Sequence, residues 1–240
     1  MLKRMTTFAA AIGVTAAAAG AQSAKSPVSF TGDLGYVTAT GNTRLSTFNM
    51  GDKIVYTQQM WALTQTASYV EGQTKGMETA NQLLFAARAD YTFAPQLSAF
   101  GAASFERNPY AGFTRRTNEQ LGVRWQAVEA PRDSLSFDAG GVLTQQTDVS
   151  DSTENYPAAR LAISYKHAFS KAAYFQQQAE YIPNLTTGGA YRVNSMSAIV
   201  APVSAHIGIK VSYAVQYNSH PPDTFGTTDR LLTTGVQVTF

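Results

Sequence analysis

Between Val28 and Phe240 the chain repeatedly alternates apolar with polar or small residues, and the alternation recurs in twelve separate segments. A period of two puts successive side chains on opposite faces of an extended strand, so a chain made of such segments is all-β. In the stretch 207–217, Ile207, Ile209, Val211, Tyr213, Val215 and Tyr217 share one face, and Gly208, Lys210, Ser212, Ala214 and Gln216 share the other. A soluble sheet turns its apolar face inward, whereas a membrane barrel turns it toward lipid. The second face decides between them. A soluble sandwich needs a charged outer face, but here that face is thinly charged and rich in small and amide residues, as in Gln176, Gln178 and Glu180, or Gln120, Gly122, Arg124 and Gln126.

The segments fall at 28–39, 45–57, 61–70, 81–93, 97–106, 117–127, 134–145, 158–169, 172–182, 192–200, 205–217 and 229–240. About ten residues carry a tilted strand across a bilayer, so twelve strands are expected to form an antiparallel transmembrane β-barrel. Their even number puts both termini on one side, the periplasmic one. Short links at Ala94-Pro95-Gln96, Ser170-Lys171 and Ala201-Pro202-Val203 alternate with longer polar loops. The longer loops are expected before Asn81, from Gln146 to Asn155, from Pro183 to Ala190 and from Asn218 to Thr228, with the first outer turn, TGNT at 40–43, an exception. This asymmetry matches short periplasmic turns and longer outer loops.

Lys3 and Arg4, an Ala-rich apolar run from Thr6 to Ala18, and Ala19-Gly20-Ala21 read as an export signal cleaved after Ala21. The expected organisation is a signal peptide at 1–21 and one barrel domain at 22–240. Removing Lys3 and Arg4 takes 18 basic residues to 16, equal to the 16 acidic ones, so the remainder is formally neutral. A neutral chain lacks the basic stripe of a nucleic-acid binder. There are no cysteines, hence no disulfides or thiolate metal sites. Beyond the signal no run approaches the roughly twenty apolar residues of a membrane helix.

Aromatic residues gather near strand ends on the apolar face, among them Tyr36, Tyr56, Trp61, Tyr91, Phe93, Trp125, Phe169 and Phe240, as interfacial girdles require. The last segment, LLTTGVQVTF, aligns Leu232, Val236, Val238 and Phe240. Its ending resembles the C-terminal signature that outer-membrane assembly machinery reads, with Phe240 as the signal residue. Three groups of residues, GYVTATGNTRLSTFNMGDKIVY at 35–56, SFERNPYAGF at 104–113, and YIPNL followed by SYAVQYNSHPPDTFGTTDRLLTTGVQVTF, together resemble the DUF481 family of salt-induced outer-membrane proteins. The resemblance implies an outer-membrane barrel of a Gram-negative bacterium and carries over no catalytic residues. Asp52 departs from the alternation, on the apolar face between Met50 and Ile54. Either a bulge turns it inward or the register of the second strand differs.

No cofactor or metal site is expected. The three histidines, His167, His206 and His220, lie near turns or in a loop and lack the serine spacing of a barrel lipase. Asp148, Asp151 and Glu154 read as a solvated loop, Arg115-Arg116 as a wet outer rim that can contact lipopolysaccharide phosphate, and Gly140-Gly141 as strand interior. Inward positions by parity are Lys53, Arg88, Arg124, Arg160, Lys166 and Lys210, against Asp33, Asp90, Glu106, Asp138 and Glu180. Six bases against five acids can pair across a narrow lumen, and twelve strands enclose a small channel or none. The leading expectation is therefore a non-enzymatic barrel, either a narrow channel for small solutes or a stress-related structural protein. Its expected partners are outer-membrane lipid, lipopolysaccharide and the barrel assembly machinery. The alternatives are a barrel hydrolase at the outer rim, or a receptor or adhesin acting through its outer loops.

Overall fold

The computed structural model describes residues 26–39, 45–170, 172–222 and 224–240. The expected signal peptide and the TGNT turn lie outside those residues. Twelve strands follow one another: β1 (Val28–Ala39), β2 (Leu45–Gln58), β3 (Trp61–Thr74), β4 (Met77–Ala94), β5 (Leu97–Asn108), β6 (Phe113–Glu129), β7 (Asp133–Asp148), β8 (Thr153–Ala168), β9 (Tyr174–Pro183), β10 (Tyr191–Pro202), β11 (Ile207–Asn218) and β12 (Thr228–Thr239). Each pairs antiparallel with its chain neighbours, and β1 pairs with β12 to close the barrel. The closing ladder joins Thr31–Leu34 to Val236–Thr239, and closure is the condition for a sheet to sit in hydrocarbon. At the seam, Phe30 and Phe240 exchange backbone hydrogen bonds, both at 2.9 Å.

The apolar stripe faces out. Among the described residues eight apolar side chains are buried, whereas 36 large ones are exposed. In β11 it is Ile207, Ile209, Val211 and Tyr213 that are exposed, while Gly208 is buried and Lys210 half-buried. A band of this extent far exceeds the few hundred Å² of contiguous apolar surface that a soluble monomer tolerates. Aromatic pairs mark both rims. Trp61 with Tyr91 (4.9 Å) and Trp125 with Phe137 (5.7 Å) lie toward the lower rim, which carries the C-terminus; Tyr181 with Tyr191 (5.5 Å) and Tyr191 with Tyr217 (5.6 Å) lie toward the upper. No helix among the described residues is long and apolar enough to cross a membrane.

The connections differ from expectation. The long loop before Asn81 is a two-residue turn, Lys75-Gly76, because β3 and β4 run on to Thr74 and from Met77. The Gln146–Asn155 loop likewise shrinks to 149–152 as β7 and β8 lengthen. The longest upper connections are therefore 184–190 and 219–227. β4 reaches 18 residues. Tilted by about 40°, such a strand rises roughly 45 Å against an apolar band of about 25 Å, so the upper ends of β4 and of the similarly long β6–β8 stand clear of the hydrocarbon.

Candidate functional site

Parity and pairing direct one face of every strand into the lumen, and the polar face collects there. The densest cluster starts from a missing side chain. A Cβ at Gly122 would stand 2.7 Å from the Phe100 ring, so glycine lets that ring lie flat against β6. On the ring rests the Arg88 guanidinium, 3.8 Å from its centroid, a cation–π contact that fixes its plane. From there Arg88 bonds Asp90 at 2.6 Å and reaches past β5 and β6 to Asp138 on β7 at 2.7 Å. Asp138 also accepts from Arg124 at 2.7 Å and lies 3.4 Å from Arg160, which holds Glu180 at 2.8 Å. Asn194 donates to Glu180 at 2.7 Å. Three acids and three arginines thus form one arc from β4 to β10.

A second network lies against the opposite wall. Lys210 binds Asp33 at 2.5 Å, Gln237 donates to Asp33 at 2.9 Å, and the Tyr174 hydroxyl reaches from β9 to Gln237 on β12 at 2.7 Å. The Lys166 ammonium sits over the Tyr174 ring at 4.1 Å. Neither Lys53 nor Lys166 has a carboxylate within ion-pair distance among the described residues, and Lys53 lies in the field of Arg124, Lys166 and Arg88, opposed by that of Asp90. All ten charges named from parity, together with Asp33, face the interior, and nine of these eleven join the two networks or, for Glu106, a third.

Two arginines were missed. Arg116 belongs not to a wet rim but to the interior: it is buried, stacks over Phe113 at 3.6 Å, donates to Gln146 at 2.8 Å and lies 3.6 Å from Glu106. Arg116 keeps the inward phase of Asn118, Gln120 and Arg124 in an unbroken register, and Arg115, of the opposite phase, is exposed at the rim; the register shift lies beyond them, between Phe113 and Arg115. Arg192, also buried, spans from β10 to Thr144 on β7 at 3.2 Å and Asn118 on β6 at 3.4 Å. Beside it Val142, Ala158 and Ile182 pack with Tyr156, filling this side of the upper lumen. Counted with Asp148 and Glu154, which line the same part of the upper mouth as Arg192, and with Asp229 on the inward face of β12, the interior holds eight bases and eight acids, where the sequence reading had six against five.

The upper mouth is crossed by the connection 219–227. It leaves β11 and returns in β12, yet a Cβ at Gly112, in the β5–β6 connection, would meet Pro222 at 2.8 Å and Phe225 at 3.1 Å. Gly112 has φ +92°, a left-handed conformation that also favours glycine. These two connections lie six strands apart in a ring of twelve, so the loop spans the diameter. It divides the mouth in two. One part, about 300 Å³, is lined by His220, Asp148, Glu154 and Tyr156, with Arg192 among its walls. The other, about 160 Å³, shares Val70, Gln82, Ala214, Gln216 and Leu231 with a cavity of about 280 Å³ that runs down the β1–β4 and β10–β12 wall to Asp33 and Lys210.

Among the described residues each histidine has a separate set of partners. His220 Nδ1 meets Ser219 Oγ at 2.9 Å, but that hydroxyl already accepts from the Tyr191 N–H at 2.8 Å and donates to the Gly189 carbonyl at 3.2 Å. His167 pairs with Asp133 at 2.8 Å at the lower rim, and His206 stacks on Phe240 with centroids 5.3 Å apart. Phe240 itself is exposed at the lower rim. Asp52 does not turn inward: β2 pairs with β1 and β3 without a register shift, so neither the bulge nor the altered register exists.

A closed twelve-stranded antiparallel barrel with an apolar exterior and a polar, partly bridged lumen is a barrel of the porin type. The DUF481 family model, described as a protein of unknown function, matches residues 32–240, and the chain belongs to that family. It is 25% identical over 203 residues to the protein YdiY of Escherichia coli (strain K12), covering 84% of this chain and 78% of YdiY. In fold it is similar to an outer membrane channel of the COG4313 group from Pseudomonas putida F1, with a TM-score of 0.53 and 8% identity over 89% of this chain and 94% of that one. It is also similar to the NanC porin, with a TM-score of 0.50 and 9% identity over 88% of this chain and 97% of that one. At such identities these two likenesses speak for the fold alone.

Proposed function

We propose that this chain is a non-enzymatic outer-membrane channel for small solutes, narrow and biased toward anions, with both termini in the periplasm and the 219–227 loop outside. The observation that carries this reading is the pair Lys53 and Lys166, which project into the lumen with no carboxylate within ion-pair distance among the described residues. Unpaired charge of one sign along a pore favours the opposite ion. The route runs beside the β1–β4 and β10–β12 wall, where the cavity is lined by glycines, serines and amides together with apolar side chains such as Val70, Leu84, Met196 and Leu231. The loop and the Arg192 bridge narrow the other half of the mouth. Phe240, exposed at the periplasmic rim, is the contact offered to the assembly machinery, and the outward Arg115 is available to lipopolysaccharide phosphate.

Single-channel recording of the refolded barrel in a planar bilayer tests this directly. A small conductance is expected, with a reversal potential of anionic sign in a salt gradient. Silence across salts would leave a structural envelope barrel in its place, and hydrolysis of lipid or peptide by the refolded protein that is lost in His220→Ala would move the reading to a rim enzyme.

A further inference from the structure

Asp52 breaks the rule that the rest of the outer wall keeps at its depth. On its own strand face it stands between Phe48, four residues above, and Tyr56, four residues below. Aromatic positions mark the two interfaces, so Asp52 lies near the middle of the apolar band. The outward charges Glu71, Arg107, Arg115 and Glu119 lie closer to the upper rim. An ionisable residue at mid-bilayer is costly and calls for a named partner.

Part of that partner is Gln65, which also faces outward on β3. In the amide orientation that satisfies both groups, its nitrogen donates to Asp52 Oδ2 at 2.7 Å and its oxygen accepts from the Ala67 N–H at 3.3 Å. One N–H of Gln65 and one oxygen of Asp52 are then unmatched, where neither water nor a lipid tail can supply a hydrogen bond. The neighbouring outward positions are small: Ala87, Ala89, Gly101 and Ala103 floor a depression walled by Ile54 and Leu63. Small residues let a second surface come close enough for side-chain hydrogen bonds.

The missing complement is one acceptor beside one donor, and the patch supplies both when rotated about a two-fold axis. We infer that two copies of this chain meet through the outer wall of β2–β5, the Gln65 amide of each donating to the Asp52 carboxylate of the other. An isologous contact of this kind is closed and self-limiting at two subunits. The inference rests on the outer-membrane reading above.

The chain has no cysteine, so one introduced thiol reports unambiguously. Ala67→Cys lies directly opposite Asp52 in the pairing, and Leu161→Cys places the same probe on β8, away from the patch. Full-length protein in bacterial outer membranes is oxidised with copper phenanthroline and run on non-reducing gels. A homodimer band is expected for Ala67→Cys and not for Leu161→Cys, and adding Asp52→Leu is expected to reduce it about tenfold while the barrel stays heat-modifiable. Ala87→Cys serves if Ala67→Cys fails to fold. Equal cross-linking on both walls, none on either, or a band indifferent to Asp52→Leu overturns the dimer. Recovery of the chain outside the outer-membrane fraction instead overturns the membrane reading, so the two failures are told apart.

Discussion

Asp138 carries more of the lumen's order than any other single side chain described. It is 6% exposed and lies within 3.4 Å of each of three guanidinium groups, from β4, β6 and β8. Removing one partner of a buried ion pair leaves the remaining charges uncompensated, at a cost of about 3–5 kcal/mol. Asp138→Ala is therefore expected to destabilise the barrel by about that amount, read from urea unfolding in lipid vesicles, and Asp138→Asn, which keeps an acceptor, by less. Gly122→Val is expected to cost about 1–3 kcal/mol by driving Phe100 off β6 and unseating Arg88, a loss the same unfolding curves would register. Parity made the inward charges legible, because every second residue of a strand shares a face. It could not give their partners, since Arg88 and Asp138 are 50 residues apart and meet only through the curvature of the wall. Arg116 escaped for a different reason: it fell one residue outside its expected strand, although the parity of Asn118, Gln120 and Arg124, carried one residue further, turns it inward.

At the scale of elements, the connection 219–227 acts on the mouth through Pro222 and Phe225 against Gly112. Replacing it by a short glycine–serine turn is expected to raise single-channel conductance several-fold, and Gly112→Val to raise it less by displacing the tip. Planar-bilayer recordings of both variants would check this, and unchanged conductance would mean that the narrowing lies deeper. All twelve strands could be read from the sequence because each keeps a polar and an apolar face where it crosses hydrocarbon. Their upper extensions could not, because above the membrane both faces are wet and the alternation fades, as in Glu71 to Thr74 and Met77 to Ala80. There the pointer was Lys75-Gly76, both at positive φ, which closes a tight hairpin where a long loop was expected.

For the whole molecule, the unpaired charge of the lumen is concentrated in two lysines. Exchanging Lys53→Glu and Lys166→Glu together turns eight bases and eight acids into six against ten, and the reversal potential in a salt gradient is expected to change sign. Either exchange alone should reduce the anion preference. A reversal potential indifferent to both would place the ion path elsewhere in the lumen. The inverted fold itself was legible from the thinly charged second face of the strands, whereas the uneven height of the wall, tall at β4 and β6–β8 and low from β9 to β12, was not.

The loop that crosses the mouth joins points half a circumference apart, and this has a mechanical meaning. A ring of tilted strands resists stretching along its hydrogen bonds but yields easily to flattening into an ellipse. A crossbar along one diameter opposes that mode. Severing it should give a rim that breathes more, visible as noisier open-state current, besides one that is wider on average.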